Sequence, residues 1–257
     1  MKRLIDLSIA LRSEASSEPP HMRQRISYTG HREGAQEFVD LFPGLQASQL
    51  PDSEGPALDW LELSTHNGTH LDAPWHMHST MDNGKPAYTI DVVPLDWCFS
   101  SAVKLDFREK PDGFLCGASD VERELDRIGY ELKPLDIVLV NTSASNRHFD
   151  ADYREHGCGF GREATLFLLE KGVRVTGTDA WSWDAPFSQT RKRYLADRDP
   201  GIIWEGHKVS REIGYCHMEK LTNLELLPAH GFSVVCFPVK IEGGSAGWTR
   251  AVAILEE

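Results

Sequence analysis

The stretch "DIVLVNT" (136–142) is apolar almost throughout. It has the length of a strand rather than of a helix. A strand with no polar face belongs at the centre of a sheet covered on both sides. That one segment commits the chain to an architecture built around a buried sheet. Further strands read at 4–11, 58–63, 101–107, 173–179, 231–241 and 250–255. Two helices stand out between them. One spans 118–129, with Val121, Leu125 and Ile128 as its apolar stripe and Ser119 and Glu122 in a capping-box pattern. The other spans 162–172 and is stopped by Gly172. Strand-rich ends with helices between them predict a mixed α/β fold, one domain over residues 1–257 with no linker to split it. Residues 12–57 stand apart: they are polar, rich in Pro, Gly and Ser, and weakly periodic. They read as a long loop, a candidate lid or oligomer arm.

Composition excludes several classes of partner. The formal net charge is −12, a field that repels polyanions and argues against nucleic acid. The basic run Arg191–Lys192–Arg193 is then a solvated patch. No apolar stretch approaches the roughly 20 residues that span a bilayer. "MKRLIDLSIAL" is broken by Asp6 and lacks a clear cleavage site, so it reads as structure rather than as a signal peptide. The five cysteines are scattered, with no C-x-x-C pair, which fits reduced thiols in the cytoplasm.

The chemistry concentrates in "STHNGTHLDAPWH" (64–76). His66, His70, Asp72 and His76 offer imidazoles and a carboxylate, the usual ligands of Zn²⁺ or Mn²⁺. His70 and Asp72 are two apart and share a side of an extended segment. Gly68 lets the backbone turn so that His66 joins them, and Pro74 re-aims the chain before His76. A polar turn with surface histidines explains this density of ligand types poorly. A cupin reading from "HMH" (76–78) lacks the glutamate it needs.

The full pattern H-x-G-T-H-x-D-x-P-x-H resembles the signature of the metal-dependent cyclase-like hydrolases, which include bacterial kynurenine formamidases and isatin hydrolases. "DLS" (6–8), "TDAWSWD" (178–184) and "SAGWTRAVAIL" (245–255) fall where that family has related segments. The resemblance implies a swivelling β/β/α fold and a homo-oligomer. It makes His66, His70 and Asp72 metal ligands and His76 the general acid/base. It adds a distant histidine and, twelve residues on, a glutamate; His207 and Glu219 have that spacing. From spacing alone those two would read as a surface histidine and a helix-start glutamate. Five ligands exceed one tetrahedral zinc. They imply one ion of higher coordination, as Mn²⁺ accepts, or two ions sharing carboxylates.

Such a site lowers the pKa of bound water from about 15.7 toward 7 and polarises a carbonyl. His76 would carry the proton from water to the leaving nitrogen or oxygen. Trp75, Trp181, Trp183 and Phe187 are candidate substrate contacts, which would favour a flat aromatic substrate; the competing reading is core packing. His78 and His217 read as surface histidines or as supports behind the ligands. If its segment is extended, His217 shares a face with Glu219. His21, His31 and Arg32 read as surface residues. The substrate expected is a small aromatic amide or lactone. The first tryptophan is Trp60, whereas formamidases of this type carry one soon after the first strand and are shorter; the length and aromatic loops are more like the isatin hydrolase branch, which opens a cyclic amide. Action on N-formylkynurenine, lactone opening or a dehydrating cyclisation would use the same site. A metal-dependent ligand-binding module is the non-enzymatic alternative, and a positioned His76 argues against it. No G-x-S-x-G, G-x-G-x-x-G or Walker pattern points to a serine hydrolase or a nucleotide cofactor.

Overall fold

Ile137 to Asn141, the strand expected to be central, is fully buried and lies in the middle of a nine-stranded mixed sheet in a computed structural model that describes residues 2–256. The strands in chain order are β1 (Lys2–Asp6), β2 (Arg25–Thr29), β3 (Leu58–Glu62), β4 (His70–Asp72), β5 (Thr80–Met81), β6 (Lys85–Pro86), β7 (Phe99–Asp106) and β8 (Leu115–Cys116). They continue as β9 (Ile137–Asn141), β10 (Gly159–Phe160), β11 (Val175–Thr178), β12 (Cys216–Glu219), β13 (His230–Val235), β14 (Ala246–Trp248) and β15 (Val252–Glu256). The helices are α1 (His31–Leu41), α2 (Pro74–Met77), α3 (Ala118–Ile128), α4 (Arg162–Glu170) and α5 (Phe187–Asp197).

The large sheet runs β1-β15-β13-β7-β9-β11-β12-β4-β14. Strands β7, β9, β11 and β12 are parallel neighbours, and the outer pairings are antiparallel. Parallel neighbours need crossovers; α3 joins β7 to β9 and α4 joins β9 to β11. Alternation along β9 divides the interior. Ile137 and Leu139 face one core with Leu71, Val175, Cys216 and Met218. Val138 and Val140 face the other, against Val121 and Leu125 of α3 and Ala164 and Leu168 of α4. Each fully buried aliphatic side chain of this kind contributes about 1.5–3 kcal/mol.

The mixed α/β class expected from the sequence is the one found. Contacts divide the chain into two compact units. The larger takes in residues up to 11, 16–18 and from 65 onward, and holds the nine-stranded sheet. The smaller takes in 12–15 and 19–64 and holds the β2–β3 hairpin and α1. An irregular loop over 12–57 is therefore not what forms: that stretch contains β2, the 11-residue α1 and three 3-10 turns. The helix escaped periodicity because its buried positions are Gly34 and Ala35, set backbone to backbone against Gly55 and Pro56, with no apolar stripe. The strand at 58–63 is present, but it pairs with β2 instead of joining the main sheet. In α3 the cap is also shifted: Asp120, not Glu122, accepts from the backbone N–H of Gly117 at 3.0 Å, so the helix is capped two residues earlier than the Ser119 pattern implies. β13 ends at Val235, short of the expected 241.

Candidate metal centre

Period-2 alternation builds the floor of the site. On β4, Leu71 turns into one core, so His70 and Asp72 turn to the opposite face. On β12, Cys216 and Met218 enter that same core, so His217 and Glu219 turn with His70 and Asp72. The two strands are antiparallel, with His217 opposite Asp72 and Glu219 opposite His70. Four ligand-type side chains thus meet on one patch of sheet, each 0–7% exposed.

Above this floor the turn "HNGTH" delivers His66. Gly68 sits at φ +63°, and a Cβ there would lie 2.6 Å from Leu11 Cδ2. Thr69 anchors the turn, donating from Oγ1 to the Lys220 carbonyl (2.7 Å) and accepting from the Ile9 N–H (2.9 Å). His66 then places Nδ1 2.8 Å from Asp72 Oδ1, while its Nε2 meets Ser245 Oγ at 3.0 Å. Gly68→Ala is expected to cost at least about 1 kcal/mol, from the left-handed backbone and the Leu11 contact together. Denaturant unfolding of the metal-free protein checks this; an unchanged midpoint would show that the turn relaxes freely.

Pro74 acts differently from the break expected of it. It occupies the first position of α2, where its fixed φ suits a helix start. The single turn carries His76 back over the floor, with Nε2 3.9 Å from Asp72 Oδ2 and its ring 4.1 Å from that of His66. His207 arrives from the far side, on a 3-10 turn at 207–211. Asp184 fixes that turn by accepting from the N–H groups of Gly206 (2.8 Å) and His207 (3.1 Å) and by a short contact to His207 Nδ1. Nε2 of His207 is left facing Glu219 Oε1 at 3.8 Å.

The fit of a cation can be tested on the polar atoms. His70 Nδ1 lies 2.9 Å from the Gly68 carbonyl, which makes Nδ1 the donor and leaves a lone pair on Nε2. That Nε2 is buried without a hydrogen-bond partner, as are both oxygens of Asp72. Nitrogens of His66, His217 and His70 stand 2.8, 3.0 and 3.2 Å from those oxygens. The lone pairs of His70 Nε2 and the two Asp72 oxygens thus face a space that no well-directed hydrogen bond of theirs fills. His70 bonded to a carbonyl and His207 bonded to a carboxylate are the outer supports that metal-ligating histidines use. Two groups of atoms, each within 4.8 Å of one another, share Asp72: one adds His207, His217 and Glu219, the other His66 and His76. The donor set suits a divalent ion.

Charge follows the same geometry. Burial opposes ionisation of Asp72, but the surrounding imidazoles of His76, His70, His217 and His66 hold its carboxyl well below the carboxylate range. Glu219 falls to about 2 despite burial, chiefly through its hydrogen bond with His217. Burial also opposes a charged His217, yet Asp72 and Glu219 lift it to about 9. His76 goes the other way: burial pulls it down to about 4, with His66 and His207 adding to the effect against Asp72.

This site sits in a chain whose residues 5–185 match a family profile described as "Putative cyclase". The chain belongs to the Cyclase family. Its cyclase-family relatives include the kynurenine formamidase of Salinibacter ruber, 28% identical over 80% of this chain and 84% of that protein. The isatin hydrolase of Roseibium aggregatum is 28% identical over 79% and 78%. Among solved structures, isatin hydrolase A from Ralstonia solanacearum shares the cyclase fold, with a TM-score of 0.76 at 23% identity over 99% of this chain and 92% of that one.

All six cyclase-type residues singled out in the sequence, His66, His70, Asp72, His76, His207 and Glu219, come together. His217 is not a surface residue; it lies at the centre of the cluster, fully buried. Its H-x-E pairing with Glu219 mirrors H-x-D on β4, and that was the available signal. Asp184 was missed because it is 23 residues from His207 in sequence. The aromatics divide. Trp183 is 1% exposed in the core beside α4; its indole bonds Thr165, and its backbone N–H donates to Glu219 Oε1 at 3.1 Å. Phe187 is 50% exposed, 6.2 Å from Trp181. Trp75 is 45% exposed beside His76. The ring nearest the imidazoles is one the sequence did not mark: Trp204 stacks on His207 at 4.7 Å and stands 5.1 Å from His76.

Proposed function

We propose that this cyclase-family hydrolase uses a divalent metal, Mn²⁺ or Zn²⁺, to open a cyclic or aryl amide of a small aromatic substrate. The convergence of unpartnered lone pairs on His70 and Asp72 carries the reading. His66, His70, Asp72, His207 and Glu219 are the ligands. The same set would serve one ion or two, with Asp72 common to both groups of atoms. When bound, the metal polarises the carbonyl and acidifies water.

The protein's own groups do the rest. His76 is neutral at pH 7, so its Nε2 is free to take the proton as water adds to the amide carbon. The same nitrogen returns that proton to the departing nitrogen as the C–N bond breaks, leaving a carboxylate and an amine. Trp204, Trp75 and, farther out, Trp181 and Phe187 supply flat apolar surface for an aromatic ring. Support for both named substrate types is even, since the two relatives are equally identical to this chain.

Metal content of the purified protein, with turnover of isatin and N-formylkynurenine under added Mn²⁺ or Zn²⁺, tests the reading. Bound metal with opening of one substrate is expected. Absence of metal after reconstitution would overturn it.

Protons and metal compete for the centre. Against the pull of burial, His66 and His217 are both raised above the ordinary imidazole value by the neighbouring Asp72 and, for His217, Glu219; His217, at about 9, holds its proton at neutral pH when no ion is bound. Metal affinity is therefore expected to increase from pH 6 toward 9 as those protons leave. Titration with a chelating dye at three pH values measures this; a flat profile would mean that neither histidine gives up a proton to the ion.

We further propose that the assembly is a cytoplasmic homo-oligomer in which residues 12–57 serve as arm or lid. The five free cysteines are all buried, and no described helix is long and apolar enough to cross a membrane. In the hairpin, Tyr28 (68% exposed) and Leu61 lie on one face and Trp60 (71%) on the other. A two-stranded ribbon with apolar groups bare on both faces has little stability of its own.

A further inference from the structure

Outside the metal ligands, one pair of charges is buried with no role in the chemistry above. Lys220 is 2% exposed and Glu18 is 4% exposed. Lys220 Nζ donates to Glu18 Oε1 at 2.5 Å and to the His66 carbonyl at 2.9 Å. The other Glu18 oxygen accepts from Trp181 Nε1 at 3.0 Å, and the ammonium stands 5.1 Å from the Trp181 ring centroid. Lys220 itself is held at φ +60°, a left-handed conformation rarely used by a residue with a side chain. Its backbone N–H bonds the Ala180 carbonyl, and its own carbonyl takes the Thr69 hydroxyl.

A buried ion pair gains little net stability over an apolar replacement of the same volume, so stability does not account for this one. What it does reach is the main chain at His66. That residue lies two positions before Gly68, whose backbone is the freest in the turn. The ring of His66 is fixed at one end by Ser245, and a charge-assisted bond to its carbonyl fixes the main chain. We propose that Glu18 and Lys220 are positioning residues for His66: the buried pair grips the His66 carbonyl and keeps its imidazole aimed at Asp72. Lys220 follows Glu219 directly, so the same residue ties the turn carrying His66 to the strand carrying Glu219. Glu18 orients the ammonium, and Trp181 braces Glu18. The inference rests on the metal-centre reading above.

The test uses the full chain, freed of metal and titrated with Zn²⁺ or Mn²⁺ against a chelating dye. Lys220→Met alone leaves the Glu18 carboxylate buried and unpaired, so the informative variant is Glu18→Gln with Lys220→Met, which removes both charges and keeps the volume. It is expected to fold, judged by near-UV circular dichroism, and to bind metal at least about tenfold more weakly, the range seen when outer supports of metal ligands are removed. The visible spectrum of its Co²⁺ form should also shift, because His66 is no longer held. A folded double variant with metal affinity within about twofold of the parent and an unchanged Co²⁺ spectrum would overturn the proposal. Should the double variant not fold, Glu18→Gln serves: weaker metal binding supports the proposal and unchanged binding overturns it. A parent protein that binds no metal would instead remove the metal-centre reading itself.

Discussion

Asp72→Ala is expected to lower metal affinity by at least about 100-fold, and turnover with it. Removing supports behind a ligand already costs about 10–100-fold, and Asp72 stands in front of them. It is the one residue common to both groups of converging atoms. Its oxygens are the nearest carboxylate atoms to His66, His70 and His217, at 2.8–3.2 Å. Alanine leaves three imidazoles around a gap with Glu219 alone to supply negative charge beside them. Asp72→Asn separates charge from shape, since it keeps the volume and one oxygen; it should lose most of the affinity as well. Equilibrium dialysis followed by elemental analysis measures both variants. Stoichiometric metal retained in Asp72→Ala would strike Asp72 from the ligand set.

His76→Ala divides the site in the other direction. Metal binding is expected to persist, because His76 lies above the floor, its side chain 21% exposed, and its Nε2 stays 3.9 Å from the nearest Asp72 oxygen. Turnover is expected to fall by about 10²–10⁴, the usual contribution of a positioned acid/base. The depressed pKa matters to this assignment. An imidazole held at about 4 is uncharged across the neutral range, so it arrives ready to accept a proton. With metal kept saturating, activity in the parent should therefore be lost only as pH falls toward that value and His76 becomes charged. Steady-state rates beside metal content settle the role. Parallel loss of metal and rate in His76→Ala would make His76 a ligand instead.

Much of this is legible in the sequence alone, for identifiable reasons. β9 was readable because its apolar run Ile137–Val140 leaves no polar face and so no other home for a strand. H-x-D and G-T-H were readable because ligand chemistry and period-2 geometry agree over seven residues. His207 and Glu219 were reached only through family resemblance, since nothing local marks them. Asp184, Trp204 and the Glu18–Lys220 pair were not readable. Each acts on a partner 23 to 202 residues away or through ring stacking, and long-range contacts leave no periodic trace. Helix α1 was hidden by a different cause: it packs through glycine and alanine, so the side-chain pattern that announces a helix is absent.

The three-residue strand β4 lies between β12 and β14, one place from the sheet's edge, and β14 is equally short. Strands of that length bring few ladder bonds, so this corner is the part of the sheet least able to hold itself together. An ion gripped by residues of β4 and β12 would bolt the two strands together across their ladder. At 100 times its Kd such a ligand adds about 2.7 kcal/mol to whatever state it binds. A slip of one residue between those strands would send His70 and Asp72 into the apolar core and bring Leu71 out to the cluster. Only a correctly threaded chain could therefore hold such an ion, and metal loading would report on the correct pairing of β4 with β12.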